Sequence, residues 1–392
     1  LNYCMVRPGP EAIQLAIYIG WLMHGVMGGV IAGVLFFLPS FFILAGLSWT
    51  YLAFGHVPAV AGVLYGIKPA VTAIVVFAAY RIGSKALKNG VLWGLAAVAF
   101  VAIFAFDVPF PLIVLAAALL GYVGGQVLPD KFKTGGGHGA AGKGYGPALI
   151  DDHTPVPEHA RFLWPRVLMF LGVGVALWLV MMAALFSQGG WDGTLAQMGW
   201  FFTKAAFLTI GGAYAVLPYV YQGGVEHYGW LTGLQMIDGL ALGETTPGPL
   251  IMVVTYVGFI GGWTKQVFGP EQLALSGLAG AMVATFFTFL PSFLFILIGG
   301  PAIEASRHDI KLSAPLSAIT AAVVGVIINL AVFFAWHVLW PQASAAAPFA
   351  GRFEWFSLAV GIAAFLALWR YKVDIMKVIG ACAAVGMVYT LI

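Results

Sequence analysis

Apolar residues fill this chain in long runs, and polar residues are confined to the gaps between them. The runs extend approximately over 11–23, 29–53, 60–80, 91–106, 108–125, 166–186, 196–220, 231–263, 273–300, 313–340, 355–369 and 375–392. Most reach the roughly 20 residues that a helix needs to cross a hydrocarbon core about 30 Å thick. A spanning β-barrel would show segments of about 10 residues alternating between apolar and polar positions instead. In lipid a helix satisfies every backbone N–H and C=O within its own segment. The pattern therefore predicts an all-α, polytopic transmembrane helical bundle of about twelve segments. Several runs are too long or too short for one clean helix and carry Pro39, Pro69, Pro218, Pro247 or Pro291. Proline removes a backbone donor, so broken or re-entrant helices are expected there.

Composition supports the bilayer as solvent. Of 392 residues, 61% are hydrophobic and 8% charged, against about 25% charged in soluble domains. The formal charge of +3 is small, and most of its Lys and Arg residues fall in loops, where membrane topology accounts for them and no nucleic-acid partner is implied. The clusters Arg81/Lys85/Lys88, Lys131–Arg166, Arg307/Lys311 and Arg370/Lys372/Lys377 mark cytoplasmic loops by the positive-inside rule, leaving the C-terminus outside. Cys4 and Cys382 stand in apolar surroundings without metal or redox spacing and read as packing residues.

Three domains are expected: a first membrane repeat at 1–125, a flexible cytoplasmic linker at 126–165, and a second membrane repeat at 166–392. The linker is rich in Gly, His, Pro and charge and cannot bury enough apolar area to fold. The repeats are visible as duplicated text. "RPGPEAIQLAIYIG" at 7–20 resembles "TPGPLIMVVTYVG" at 246–258, and "FLPSFFIL" at 37–44 matches "FLPSFLFI" at 289–296. Beyond that point an offset of 252 keeps Leu64, Ile67 and Val71 in register with Leu316, Ile319 and Val323. Many transporters are built from such duplications, often inverted. About 45 residues before Pro247 have no counterpart before Pro8, so a further helix is expected upstream of Leu1.

The candidate chemistry lies at the two Pro-Gly-Pro breaks, Pro8, Gly9 and Pro10 in the first repeat and Pro247, Gly248 and Pro249 in the second. Pro is well placed at a helix N-terminus. A half-helix restarted at membrane depth presents unpaired N–H groups and a partial positive charge to an anion. Two ordinary surface loops are the plainer reading, which repetition of the motif disfavours. Glu244, with Thr245 and Thr246, leads into the second break, and a carboxylate there would exchange a proton, gate the site, or sit at the interface. Lys68 interrupts an apolar run, where a lipid-facing cation costs about 3 kcal/mol. It reads as an anion ligand or the partner of a carboxylate, with snorkelling as the alternative. Arg7 could present a fixed charge to an oxyanion. Gly211 and Gly212 allow either close helix packing or close backbone approach to a ligand.

Other signals fail. Gly137, Gly142 and Lys143 have phosphate-loop spacing, but Gly144 replaces the hydroxyl residue, and neither strand nor helix frames them. His138, His153 and His159 are spaced for no metal geometry and read as solvated loop residues. No hydrolase motif appears. Neither a metal, a cofactor nor an enzymatic activity is expected.

On "LNYCMVRPGPEAIQLAIYIGW", "LALGETTPGPLIMVVTYVGF", the Gly211–Gly212 pair and the duplicated halves, the chain resembles the chromate ion transporter family in its long two-domain form. The resemblance implies a multi-pass protein of the bacterial inner membrane that exports chromate, a sulfate-like dianion, as a secondary transporter by alternating access. A small oxyanion and the lipid bilayer are its expected partners, and a homodimer is compatible with it. An anion-selective channel, or a carrier of another oxyanion such as sulfate, is the alternative the same motifs allow. The family's first-half Phe-Gly-Gly-Pro segment is missing, its second-half equivalent reads Ile210-Gly211-Gly212-Ala213, and Arg7 stands where an apolar residue is expected.

Overall fold

The computed structural model describes residues 11–55, 57–132, 157–209, 213–305, 313–343 and 347–392, and these fold into helices joined by short turns. Among the described residues six helices are long and apolar enough to cross a membrane, and shorter apolar helices accompany them. The first repeat comprises α1 (Glu11–Phe54), α2 (Pro58–Ala86), α3 (Gly90–Phe106) and α4 (Phe110–Val127), followed by the one-turn α5 (Pro129–Phe132). Then come α6 (Trp164–Gly189), α7 (Thr194–Leu208), α8 (Ala213–Tyr221) and α9 (Gly233–Glu244). The chain ends with α10 (Val253–Thr264), α11 (Leu273–Ala305), α12 (Ser313–Leu339), α13 (Trp355–Trp369) and α14 (Ile375–Leu391), so that α6 to α14 make up the second repeat as read from sequence.

Helix α1 is a hairpin rather than a rod. His24 and Gly25 leave helical geometry, Gly25 with φ of 65°. A methyl group on Gly20 would fall 2.5 Å from the carbonyl oxygen of Gly28, although residues eight apart in one helix are separated by about 12 Å. The chain therefore doubles back, and the arms 11–23 and 26–54 cross with their backbones touching. The second repeat builds the same crossing from α10 and α11: a methyl on Gly258 would fall 2.3 Å from the carbonyl oxygen of Gly280. Ala32 and Ala284, 252 positions apart, flank the two crossings equivalently.

The two hairpins point in opposite directions. Phe37 stacks on Phe289 with centroids 4.8 Å apart and planes 6° from parallel, while Gly33 meets Phe293 and Gly300 meets Trp21. Residue numbers rise along α1 as they fall along α11, so the long arms run antiparallel. Phe37 and Phe289 are the same position of the two copies, which places a local two-fold axis between them. The copies also interlock. Helix α2 packs on α13 and α14, whereas its counterpart α12 packs on α3 and α4. Gly66 closes on Gly386 and, equivalently, Ala318 closes on Gly121.

Apolar residues at both ends of the expected linker are packed into the bundle. Phe132 is buried against Gly124, and Ala160 is fully buried beside Trp21 and Leu297. His159, read from sequence as solvated, instead meets the Trp21 carbonyl oxygen through Nε2 at 2.8 Å and its ring edge-on. Trp21, close to the hairpin turn, offers it a backbone carbonyl as acceptor and an indole ring for the edge-on contact.

Candidate functional site

Helices α9 and α10 are 12 residues each, about 18 Å long and too short to cross a core of about 30 Å. They lie antiparallel, with Gly239 against Tyr256 and Gly243 against Val253. Together they form a helical hairpin whose tip is Thr245–Pro249. Thr232 and Gln235 cap the start of α9 reciprocally. At its other end the hydroxyls of Thr245 and Thr246 donate to the carbonyls of Leu242 and Gly243 at 2.8 and 2.9 Å. The Thr245 and Thr246 amides also serve the helix end, donating to the Leu242 and Gly243 carbonyls at 3.2 and 3.3 Å, so what is left for an anion is the Gly248 N–H and the first amides after Pro249.

Pro249 precedes a single 3-10 turn, Leu250–Met252, that leads into α10. The first N–H groups of such a helix have no intrahelical acceptor. Gly248 adopts φ of 143°, and a methyl group there would also strike Ser40 Oγ. Ser40, buried in the "FLPSFF" segment of α1, donates its hydroxyl to the Pro247 carbonyl. The break in the second repeat is therefore braced by the first repeat, three residues from the axis at Phe37. Pro247 and Gly248 are exposed, while Thr246 and Pro249 are buried. Ser292, the counterpart of Ser40, is fully buried, and its hydroxyl has no hydrogen-bond partner among the described residues. Arg7, Pro8, Gly9, Pro10, Gly211 and Gly212 lie outside the described residues.

Glu244 accepts a hydrogen bond from the Tyr214 hydroxyl of α8, and Arg81 lies within electrostatic range. Lys68 is the partner of a carboxylate: its Nζ lies 3.6 Å from Asp238 Oδ1. Tyr51 donates to Asp238 Oδ2 at 3.0 Å, and the ring of the fully buried Tyr256 lies 5.8 Å from that of Tyr51. Sequence reasoning missed Asp238, Tyr51, Tyr214 and Ser40. Asp238 was signalled by its place in the apolar "QMIDGLALG", just as Lys68 was.

The geometry joins a restarted helix to a serine brace from the opposite repeat, and the Lys68–Asp238 ion pair meets α9 about two turns, roughly 10 Å, before the tip. A cavity of about 650 Å³ opens elsewhere, between α3, α8 and α12, lined by Asp107, Tyr221, Glu226, Phe333 and Trp336, and no tip residue lines it. No metal-ligating cluster occurs among the described residues.

Comparison with known proteins decides the family. The model of the family described as "Chromate transporter" matches residues 1–122 and 196–387. The chain belongs to the chromate transporter family. Both matched spans contain a Pro-Gly-Pro break, and the unmatched stretch contains the linker. Among relatives in this family, a chromate transport protein of Pseudomonas aeruginosa is 32% identical over 98% of this chain and 81% of its own length. One from Cupriavidus metallidurans is 29% identical over 86% and 71%, respectively. A probable chromate transport protein of Synechococcus elongatus is 27% identical over 83% and 71%. No solved structure matches the chain. As a chromate transporter family member with several apolar helices, the chain is a multi-pass membrane transport protein.

Proposed function

We propose that this protein exports chromate across the bacterial inner membrane as a secondary transporter, with the oxyanion held at the restarted half-helices of the two repeats. The observation that carries the reading is the α9–α10 tip. There, a helix restarts at a Pro-Gly-Pro whose Pro247 carbonyl is held by Ser40 of the opposite repeat, and the apolar helices on either side favour a position at membrane depth. Aligned peptide dipoles place about half a positive charge at such an end. The amides bind any tetrahedral oxyanion, and the choice of chromate rests on the names of the relatives.

The inverted arrangement of the two hairpins suits alternating access, in which one bundle of helices rocks against the other around a central site. A dianion leaving a cell held at 100 mV, negative inside, gains about 4.6 kcal/mol. That sustains a gradient of roughly three decades without ATP. Labelled chromate uptake into inverted vesicles tests the reading. Saturable uptake, with counterflow by unlabelled chromate and competition by sulfate, is expected. Single-channel currents without counterflow would favour an anion channel instead.

A further inference from the structure

The Lys68–Asp238 pair is asymmetric. The Lys68 side chain keeps 26% of its surface exposed, whereas that of Asp238 keeps 4%. The cation is therefore the more accessible partner of the pair. The pair is also loose, since 3.6 Å exceeds the 2.7–2.9 Å of a charge-assisted hydrogen bond, and Oδ1 has no hydrogen-bond donor. Oδ2 already accepts from Tyr51. A proton can thus settle on Oδ1 without disturbing the Tyr51 bond. Among the described residues, the charged or titratable groups facing Asp238 are Lys68 from α2, Tyr51 from α1 and Tyr256 from α10. On its own helix, Glu244 stands six positions away and is engaged by Tyr214.

We propose that Asp238 is a stand-in for the transported anion: in the empty protein its carboxylate holds Lys68, and an oxyanion bound at the α9–α10 tip takes Lys68 over while Asp238 takes up a proton from water. The inference rests on the tip as the anion site. Charge requires the exchange. A dianion and an ionised Asp238 sharing one lysine would leave two uncompensated negative charges in the hydrocarbon slab, and protonation of Asp238, forming an O–H bond at Oδ1, removes one. By linkage, anything that protonates Asp238 favours anion binding, and anion binding favours its protonation. Asp238 is then a positioning residue that acts through Lys68.

The test is the KM for labelled chromate in inverted vesicles across neutral pH. Wild-type KM should rise with pH by up to about tenfold per unit above the midpoint. Asp238→Asn should transport with that component of the profile gone, leaving chromate's own titration, which every variant shares. Lys68→Met should raise KM about tenfold or more, and the double variant Lys68→Met/Asp238→Asn should remain as weak as Lys68→Met alone. A pair that only ties α2 to α9 gives the opposite result: the double variant, with two neutral partners, regains wild-type KM, and Asp238→Asn keeps the wild-type profile. Either outcome overturns the proposal. Tyr51→Phe keeps both charges and removes one donor to the carboxylate, so it guards against misfolding of the other variants. It should move the midpoint to higher pH, and an unmoved midpoint also overturns the proposal. Wild-type vesicles without saturable flux would instead defeat the transport reading itself, which is a distinguishable failure.

Discussion

Gly248 carries two constraints at once, a φ of 143° and the contact of its Cα face with Ser40. Either alone disfavours a side chain, and a residue with a Cβ forced into this backbone costs about 1–3 kcal/mol. Gly248→Ala should therefore reduce chromate transport by tenfold or more with near-normal membrane insertion, measured as initial rate per inserted protein. Shrinking the neighbour by Ser40→Gly should rescue it only in part, because the dihedral remains. Ser40→Ala removes one hydroxyl from the Pro247 carbonyl, worth about 1 kcal/mol. A rise in KM of about fivefold is expected from equilibrium-exchange assays. For Glu244→Gln, loss of the carboxylate removes the acceptor charge facing Tyr214, and a changed pH profile of transport is the expected result if that carboxylate exchanges a proton. At this scale the sequence announced residues that violate their surroundings, Lys68 and Glu244, and Gly-Pro punctuation. It could not announce Ser40 or Tyr51, ordinary residues of apolar helices whose roles come from partners about 190–210 positions away.

The hairpins show what duplication preserves at the level of elements. Each copy needs two helices to cross with backbones in contact, and each supplies a pair of glycines and an alanine for it: Gly20, Gly28 and Ala32, then Gly258, Gly280 and Ala284. Without a hydrophobic force between helices in lipid, such close packing is a principal source of association. Gly20→Val and Gly258→Val should each lower the thermal unfolding midpoint in detergent, both by several degrees, corresponding to about 2 kcal/mol or more. A large effect of one and none of the other would contradict the equivalence of the crossings. The boundary between the apolar runs 11–23 and 29–53 was legible from the polar-small break at His24–Gly25. The reversal inside 231–263 was harder to see. It falls at the polar stretch Glu244–Pro249, where the proline pair marks one apolar run becoming two short antiparallel helices.

For the whole molecule, duplication was readable as repeated text, but the interlocking of the copies was not. Nothing in an offset of 252 says that α2 lies on α13 and α14 while α12 lies on α3 and α4. Those contacts follow from matched small residues, Gly66 with Gly386 and Ala318 with Gly121, that only tertiary packing pairs. The consequence is mechanical, because neither repeat can move without carrying helices of the other. The stacked Phe37 and Phe289 at the local axis are where such a movement would turn. The central claim is that backbone amides of a helix restarted inside the bilayer hold the transported oxyanion. An experimental structure with chromate bound, located by anomalous scattering from chromium, tests it most directly. The account predicts a peak at the α9–α10 tip, with anion oxygens about 3 Å from the amides that follow Pro249. A peak in the cavity beside Trp336 and Glu226, with the tip empty, would contradict it.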